Sequence, residues 1–167
     1  MIKMKKNIRK IGILMITFSL MACTKEVDVL EPKLAGIYKI KSIITDLPVD
    51  LDNDGVANTD MSKEKDRGYC RFDDTFSFNN GNKGIWADGS DICSNALEPS
   101  DDYFNYIYDK AKKTISMEIF HKGEKESELL ELTDVFISYK DGRQALRFSF
   151  YDERYTNRVV TYYLESE

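Results

Sequence analysis

The run Asp50-Leu51-Asp52-Asn53-Asp54-Gly55-Val56-Ala57-Asn58-Thr59-Asp60 is where this sequence comes nearest to a chemical site. Asp50, Asp52 and Asp54 at alternate positions turn their carboxylates toward one point. Gly55 permits the sharp bend that follows, as at the start of a calcium loop built from hard oxygen ligands. Val56 would lend its backbone carbonyl, Asn58 its side chain or a bridging water, and Asp60 a further carboxylate. Calcium is therefore the expected cofactor, in a structural role and with a modest affinity of about 10⁻⁴ to 10⁻³ M. The pattern departs at the twelfth position, where such loops carry a bidentate Glu and this chain has Met61. Asp60 or Glu64 completes the shell only if the loop closes differently. The same residues also suit a solvated acidic turn held by Asx-type hydrogen bonds. Against that, carboxylates so closely spaced repel one another unless a cation sits among them.

Catalytic arrangements are thin. His121 is the only histidine, in the turn-like context Phe120-His121-Lys122-Gly123, and reads as an exposed strand-end residue. It offers no triad with an identified nucleophile. The pairs Asp73-Asp74 and Asp101-Asp102 have the composition for glycoside chemistry, but neighbours in a strand point to opposite faces. Gly81–Gly84 falls in an expected hairpin turn rather than a phosphate loop. No catalytic residue is assigned, and the chain is expected not to be an enzyme.

The chain opens with Lys3, Lys5, Lys6, Arg9 and Lys10 and no acid, followed by an apolar run from Ile11 to Ala22. This is the layout of a secretory signal, and the run is too short to cross a bilayer as a helix. Leu20-Met21-Ala22-Cys23 then resembles the lipobox of bacterial lipoproteins. The resemblance implies cleavage after residue 22, a diacylglyceryl group on Cys23 and an acylated N-terminus. Removing five basic residues and no acid takes the net charge from −5 to −10 and leaves 145 of the 167 residues. Such an acidic domain has no electrostatic case for nucleic acid. Its membrane contact would come from the acyl chains, placing it in the cell envelope as an outer-membrane lipoprotein facing the periplasm or the surface. Residues 23–33 read as a tether. In an oxidising compartment Cys70 and Cys93, the two remaining thiols, are expected to pair, contributing about 3 kcal/mol by loop closure.

From Leu34 onward the apolar period is two, which dictates strands rather than helices. Tyr38, Ile40, Ser42 and Ile44 share one face, as do Ile115, Met117 and Ile119, and Leu146, Phe148 and Phe150. Further strands are expected over Tyr69–Phe78, Tyr103–Tyr108, Leu129–Tyr139 and Tyr155–Leu164, with turns at Asn79–Asn82, Lys122-Gly123 and Asp141-Gly142. Ser62–Arg67 suits a polar helical turn, and Gly84–Pro99 has no clear assignment. The residues predict an all-β chain of seven or eight strands over 34–167, antiparallel and closed into a barrel.

Leu34-Ala35-Gly36-Ile37-Tyr38-Lys39-Ile40 resembles the opening strand of lipocalin-like domains of bacterial lipoproteins. Cys70-Arg71-Phe72-Asp73-Asp74-Thr75-Phe76-Ser77-Phe78 before Asn80-Gly81 resembles their central hairpin, with Cys93 as the second downstream thiol. Tyr38 stands where that family more often has Trp. The resemblance implies a lipocalin-like barrel. Ten Tyr and nine Phe either line a ligand cavity or simply pack the core. The expected partners are accordingly a small apolar ligand or an envelope protein, with a structural or protein-interaction accessory module as the alternative function.

Overall fold

The computed structural model describes residues 33–64, 71–90, 101–153 and 156–167. Cys23, Cys70 and Cys93, with the signal peptide and most of the tether, lie outside the described residues.

Nine antiparallel strands run in the order of one meander: β1 (Gly36–Val49), β2 (Asn58–Asp60), β3 (Thr75–Asn79), β4 (Lys83–Ala87), β5 (Asp101–Asp109), β6 (Thr114–Phe120), β7 (Glu128–Lys140), β8 (Arg143–Asp152) and β9 (Arg158–Ser166). β9 returns to pair with β1, from Tyr38↔Ser166 to Thr45↔Val160, so the sheet closes on itself. β1 and β3–β9 form an eight-strand barrel, and the three-residue β2 is an extra strand on β1. The expected all-β barrel is thus the fold. Among the described residues no helix is long and apolar enough to cross a membrane.

The period-two pattern puts the large side chains inside. Ile115, Met117 and Ile119 of β6 are buried, as are Leu146, Phe148 and Phe150 of β8 and Val160, Tyr162 and Leu164 of β9. β1 departs from simple alternation. Its register with β9 shifts between Ile40 and Ser42, so that Ile43 rather than Ile44 is buried. An extra residue in one strand of a pair reverses the facing of everything beyond it. A second irregularity in β7, between Thr133 and Phe136 with Asp134 at φ 51°, buries Leu132 and then Val135, three residues on. The predicted turn at Asp141-Gly142 is present with φ of 52° and 80°, the mirror-image geometry that a tight hairpin needs. The polar helical turn expected at Ser62–Arg67 begins one residue earlier, as a 3₁₀ turn over Met61–Lys63. Of the expected strand over Tyr69–Phe78, Arg71–Asp73 form a 3₁₀ turn and the strand, β3, begins at Thr75.

An eight-strand barrel is just wide enough for side chains to fill, and here aromatic rings fill it. Phe76 lies 4.6 Å from Trp86 and 5.5 Å from Phe148 between ring centroids. Phe148 stacks on Tyr162 at 5.5 Å, and Phe78 meets Phe104 and Tyr106 edge-on at 5.4 and 5.2 Å. Aromatic pairs at these separations contribute about 0.5–1.5 kcal/mol each beyond the area they bury. One end of the barrel is stoppered by the chain itself. Leu34 is buried there, and Lys33 O accepts hydrogen bonds from the Tyr38 hydroxyl and Gln144 Nε2.

Gly84 shows how tight this interior is. It sits between Phe78 and Phe104 in the ladder, and a Cβ there would lie 2.1 Å from Phe104 Cζ and 2.5 Å from Ser77 O. Gly84→Ala must displace a packed ring or backbone, so a loss of about 2–3 kcal/mol in urea unfolding is expected. Gly142→Ala, with open space around it but φ at 80°, is expected to cost only about 1 kcal/mol. Equal losses for the two variants would contradict the ring-over-glycine contact.

Candidate functional site

The acidic run connects β1 to β2, and most of its polar groups are tied within the loop. Asp50 Oδ2 accepts from Gly55 N at 3.0 Å, Asp52 Oδ1 from Asp54 N at 3.1 Å, and Asp54 Oδ1 from Val56 N at 2.7 Å. The Val56 carbonyl accepts from Asn58 Nδ2 at 3.0 Å, while Asp60 Oδ1 accepts from Ser62 N and caps the 3₁₀ turn. Of the expected ligands, the loop therefore gathers Asp50 and Asp52 but sends Asp54 and Asp60 to local backbone donors.

The third carboxylate is Glu64. Met61, at the position that broke the calcium pattern, is fully buried in the core, and the 3₁₀ turn behind it brings Glu64 back under the loop. Glu64 is itself buried; its Oε1 accepts from Asn58 Nδ2 at 2.7 Å and its Oε2 from Leu51 N at 2.9 Å. The hydrogen bond from Asn58, against burial and with backbone donors, holds the Glu64 carboxyl below its usual range. Asp52 moves the other way. The Asp54 N–H lowers it, but burial and the charges of Asp54, Glu64 and Asp50 raise it overall. One oxygen each of Asp50, Asp52 and Glu64 lie within 4.8 Å of one another, and the buried Asp50 Oδ1 has no hydrogen-bond partner. Three hard oxygens at that separation suit a cation whose oxygen ligands sit at about 2.3–2.6 Å.

A second site lies at the barrel end opposite the Lys33 stopper. Inward-facing positions continue past the ends of their strands there. Trp86 faces inward in β4, Asp102 shares the parity of Phe104, His121 that of Ile119, and Glu128 that of Leu130 and Leu132. Tyr103 pairs with Phe120, so one further step of the ladder sets Asp102 opposite His121; Ile119 pairs with Glu128 and brings that carboxylate alongside. His121 Nδ1 is 2.9 Å from Asp102 Oδ2, and Nε2 is 3.0 Å from Glu128 Oε2. His121 is thus mostly enclosed, not the exposed strand end expected. Burial by itself lowers the His121 pKa, but the hydrogen bonds and charges of Glu128 and Asp102 outweigh it and raise the value.

These groups border a cavity of about 670 Å³ with Ile119, Leu130, Phe150 and Trp86 among its apolar walls. Beside it, Arg71 stacks over the Trp86 ring at 4.3 Å. Behind Trp86 the buried Asp74 accepts from Trp86 Nε1 at 2.9 Å and Gly89 N at 3.1 Å, while its neighbour Asp73 turns away to Ser90 Oγ at 2.8 Å. Asp101 and Asp102 are split between faces by strand alternation in β5, whereas Asp73 and Asp74 diverge where the 3₁₀ turn gives way to β3. The sequence did carry a signal for the His121 cluster, because Ile115, Met117 and Ile119 fix the parity on which residue 121 faces inward.

The fold and its two polar sites define a closed antiparallel β-barrel with a ring-filled interior, stoppered at one end and hollowed at the other. No family model matches this chain, and no curated protein or solved structure matches it.

Burial pushes Asp74 up to about 6 despite the donors from Trp86 and Gly89 and the charge of Arg71. Its pKa in the folded state lies above the unfolded value, so stability from this group is greatest below about pH 4 and falls as pH rises through 6. A shift of this size corresponds to about 3 kcal/mol. Relative to Asp74→Asn, the wild-type chain is expected to lose about that much between pH 4 and pH 7 in urea melts. A stability difference that stays flat over this range would refute the assignment.

Proposed function

We propose that this chain is a lipid-anchored, lipocalin-like binding protein of the bacterial cell envelope that takes a small molecule into the His121 end of its barrel. The observation that carries this reading is the cavity of about 670 Å³ set above an interior already occupied by its own rings. A ligand would sit at the mouth and not along the barrel axis. The lining is mainly polar, with Ile119, Leu130, Phe150 and Trp86 its apolar part, and Asp88, Asp102, Glu124, Glu128, Asp152 and Glu153 outnumber Arg71 and Lys122. That balance favours a neutral or cationic molecule over a fatty acid or other anion. Cys23 supplies the anchor, Cys70 and Cys93 a stabilising disulfide, and Asp50, Asp52 and Glu64 a structural calcium site.

A protein-interaction module is the second reading, and one feature favours it. On the barrel's outer surface the register Ile37↔Ser77↔Ile85↔Tyr103↔Phe120 aligns four apolar side chains in one row, with Ser77 between Ile37 and Ile85. Ile37 is 49 %, Tyr103 59 % and Phe120 42 % exposed.

Native mass spectrometry of the chain extracted from membranes of its own host tests both readings. The expected species begins at Cys23, carries acyl chains and holds a small molecule whose occupancy falls in Leu130→Trp, where the larger ring intrudes on the cavity. A chain without lipid would sink the anchor, and a protein partner with no small molecule would favour the second reading. For calcium, 10 mM of the ion is expected to stabilise the EDTA-treated chain by about 1.5–3 kcal/mol in thermal melts. Glu64→Gln with Asp52→Asn is expected to abolish that gain, and an unchanged wild-type melt would exclude the site.

A further inference from the structure

Both ring nitrogens of His121 face carboxylate oxygens, Asp102 from β5 and Glu128 from β7, at 2.9 and 3.0 Å. A carboxylate only accepts, and a neutral imidazole has one N–H, so only the imidazolium satisfies both contacts. The cluster therefore joins the ends of three adjacent strands through a single proton. We propose that His121 is a proton-operated latch on the mouth of the barrel, bridging the Asp102 and Glu128 side chains across the ends of β5, β6 and β7 when protonated and releasing one carboxylate when neutral.

The side-chain exposures say which link goes. Asp102 is 21 % exposed and Glu128 43 %, so the Glu128 carboxylate regains water at lower cost. Neutral His121 keeps its Nδ1–H on Asp102 and turns a lone pair toward Glu128, so the Glu128 side chain swings away while the β6–β7 backbone ladder stays in place. The other charged groups at the cavity are Lys122 and Glu124 from the β6–β7 connection, Asp88 after β4, Arg71 before β3, and Asp152 and Glu153 at the end of β8. Only Arg71 and Lys122 among them oppose the proton on His121. The surrounding acids favour it, consistent with a raised pKa. Opening the latch also makes the mouth more negative by one charge. As regulation of the proposed binding site this rests on the reading above, but the latch itself is measured without any ligand.

The chain contains a single histidine, so one imidazole signal in the NMR spectrum of the intact chain reports on it. The expected midpoint lies above 6.5, and backbone amide shifts of Leu129 and Leu130 follow the same midpoint. Glu128→Gln and Asp102→Asn are each expected to lower the midpoint by about one unit. In His121→Gln the Leu129 and Leu130 amides are expected to stop responding over that pH range. A His121 midpoint at or below 6.5 overturns the proposal, as do β7 amides that ignore it or titrate unchanged in His121→Gln. A latch that titrates in a chain with no copurifying small molecule would leave this inference standing and remove the ligand reading.

Discussion

Ring-on-ring packing down the axis sets the terms for the rest of the molecule. Phe76 touches Trp86, Phe148, Tyr162 and Phe78, and so connects β3 to β4, β8 and β9 through one side chain. An eight-strand barrel encloses a volume that side chains fill or leave for a ligand. With so many aromatics pointing in, the axis is spent on structure. Gly84 has to be glycine because Phe104 lies over it, and Lys33 and Leu34 close the far end. The open space is at the mouth, where inward-facing positions change from rings to Asp102, His121 and Glu128.

That change of character explains the polarity of the cavity. A strand that runs past the last packed ring still alternates, so its next inward residue faces its counterparts from neighbouring strands. Titratable residues there are forced into one another's company by the ladder, without any loop to arrange them. The acidic β1–β2 loop is built on the opposite logic. Most of its donors and acceptors, Asp50 Oδ1 excepted, are satisfied within the loop, and Glu64 reaches it through a 3₁₀ turn anchored by buried Met61.

Much of this was legible in residue order. Alternation in β6 and β8 gave both the strands and their buried faces, Asp141-Gly142 gave the hairpin, and the need to hide edges gave closure. The two bulges were not legible, because an extra residue leaves the composition of a strand unchanged and only its partner reveals the shift. Plain alternation puts Ile44 inside, where Ile43 belongs. Lys122-Gly123 advertises a turn and makes His121 look exposed, although its parity with Ile119 points inward. Spacing rules for calcium loops assume a helix after the loop and so pass over Glu64; here a buried methionine and a single 3₁₀ turn take that helix's place.

The pairing of β9 with β1 sets the order of assembly. Strands β3 to β8 each find a neighbour close behind them in sequence, but β1 completes its hydrogen bonding only with residues 158–166, reaching as far as Glu167 N on Ile37 O. Contacts of such long sequence separation slow folding. A chain emerging in order from the N-terminus would have its meander ready and its cylinder still open until β9 appears. Truncations that remove β9 would leave β1 and β8 as two raw sheet edges.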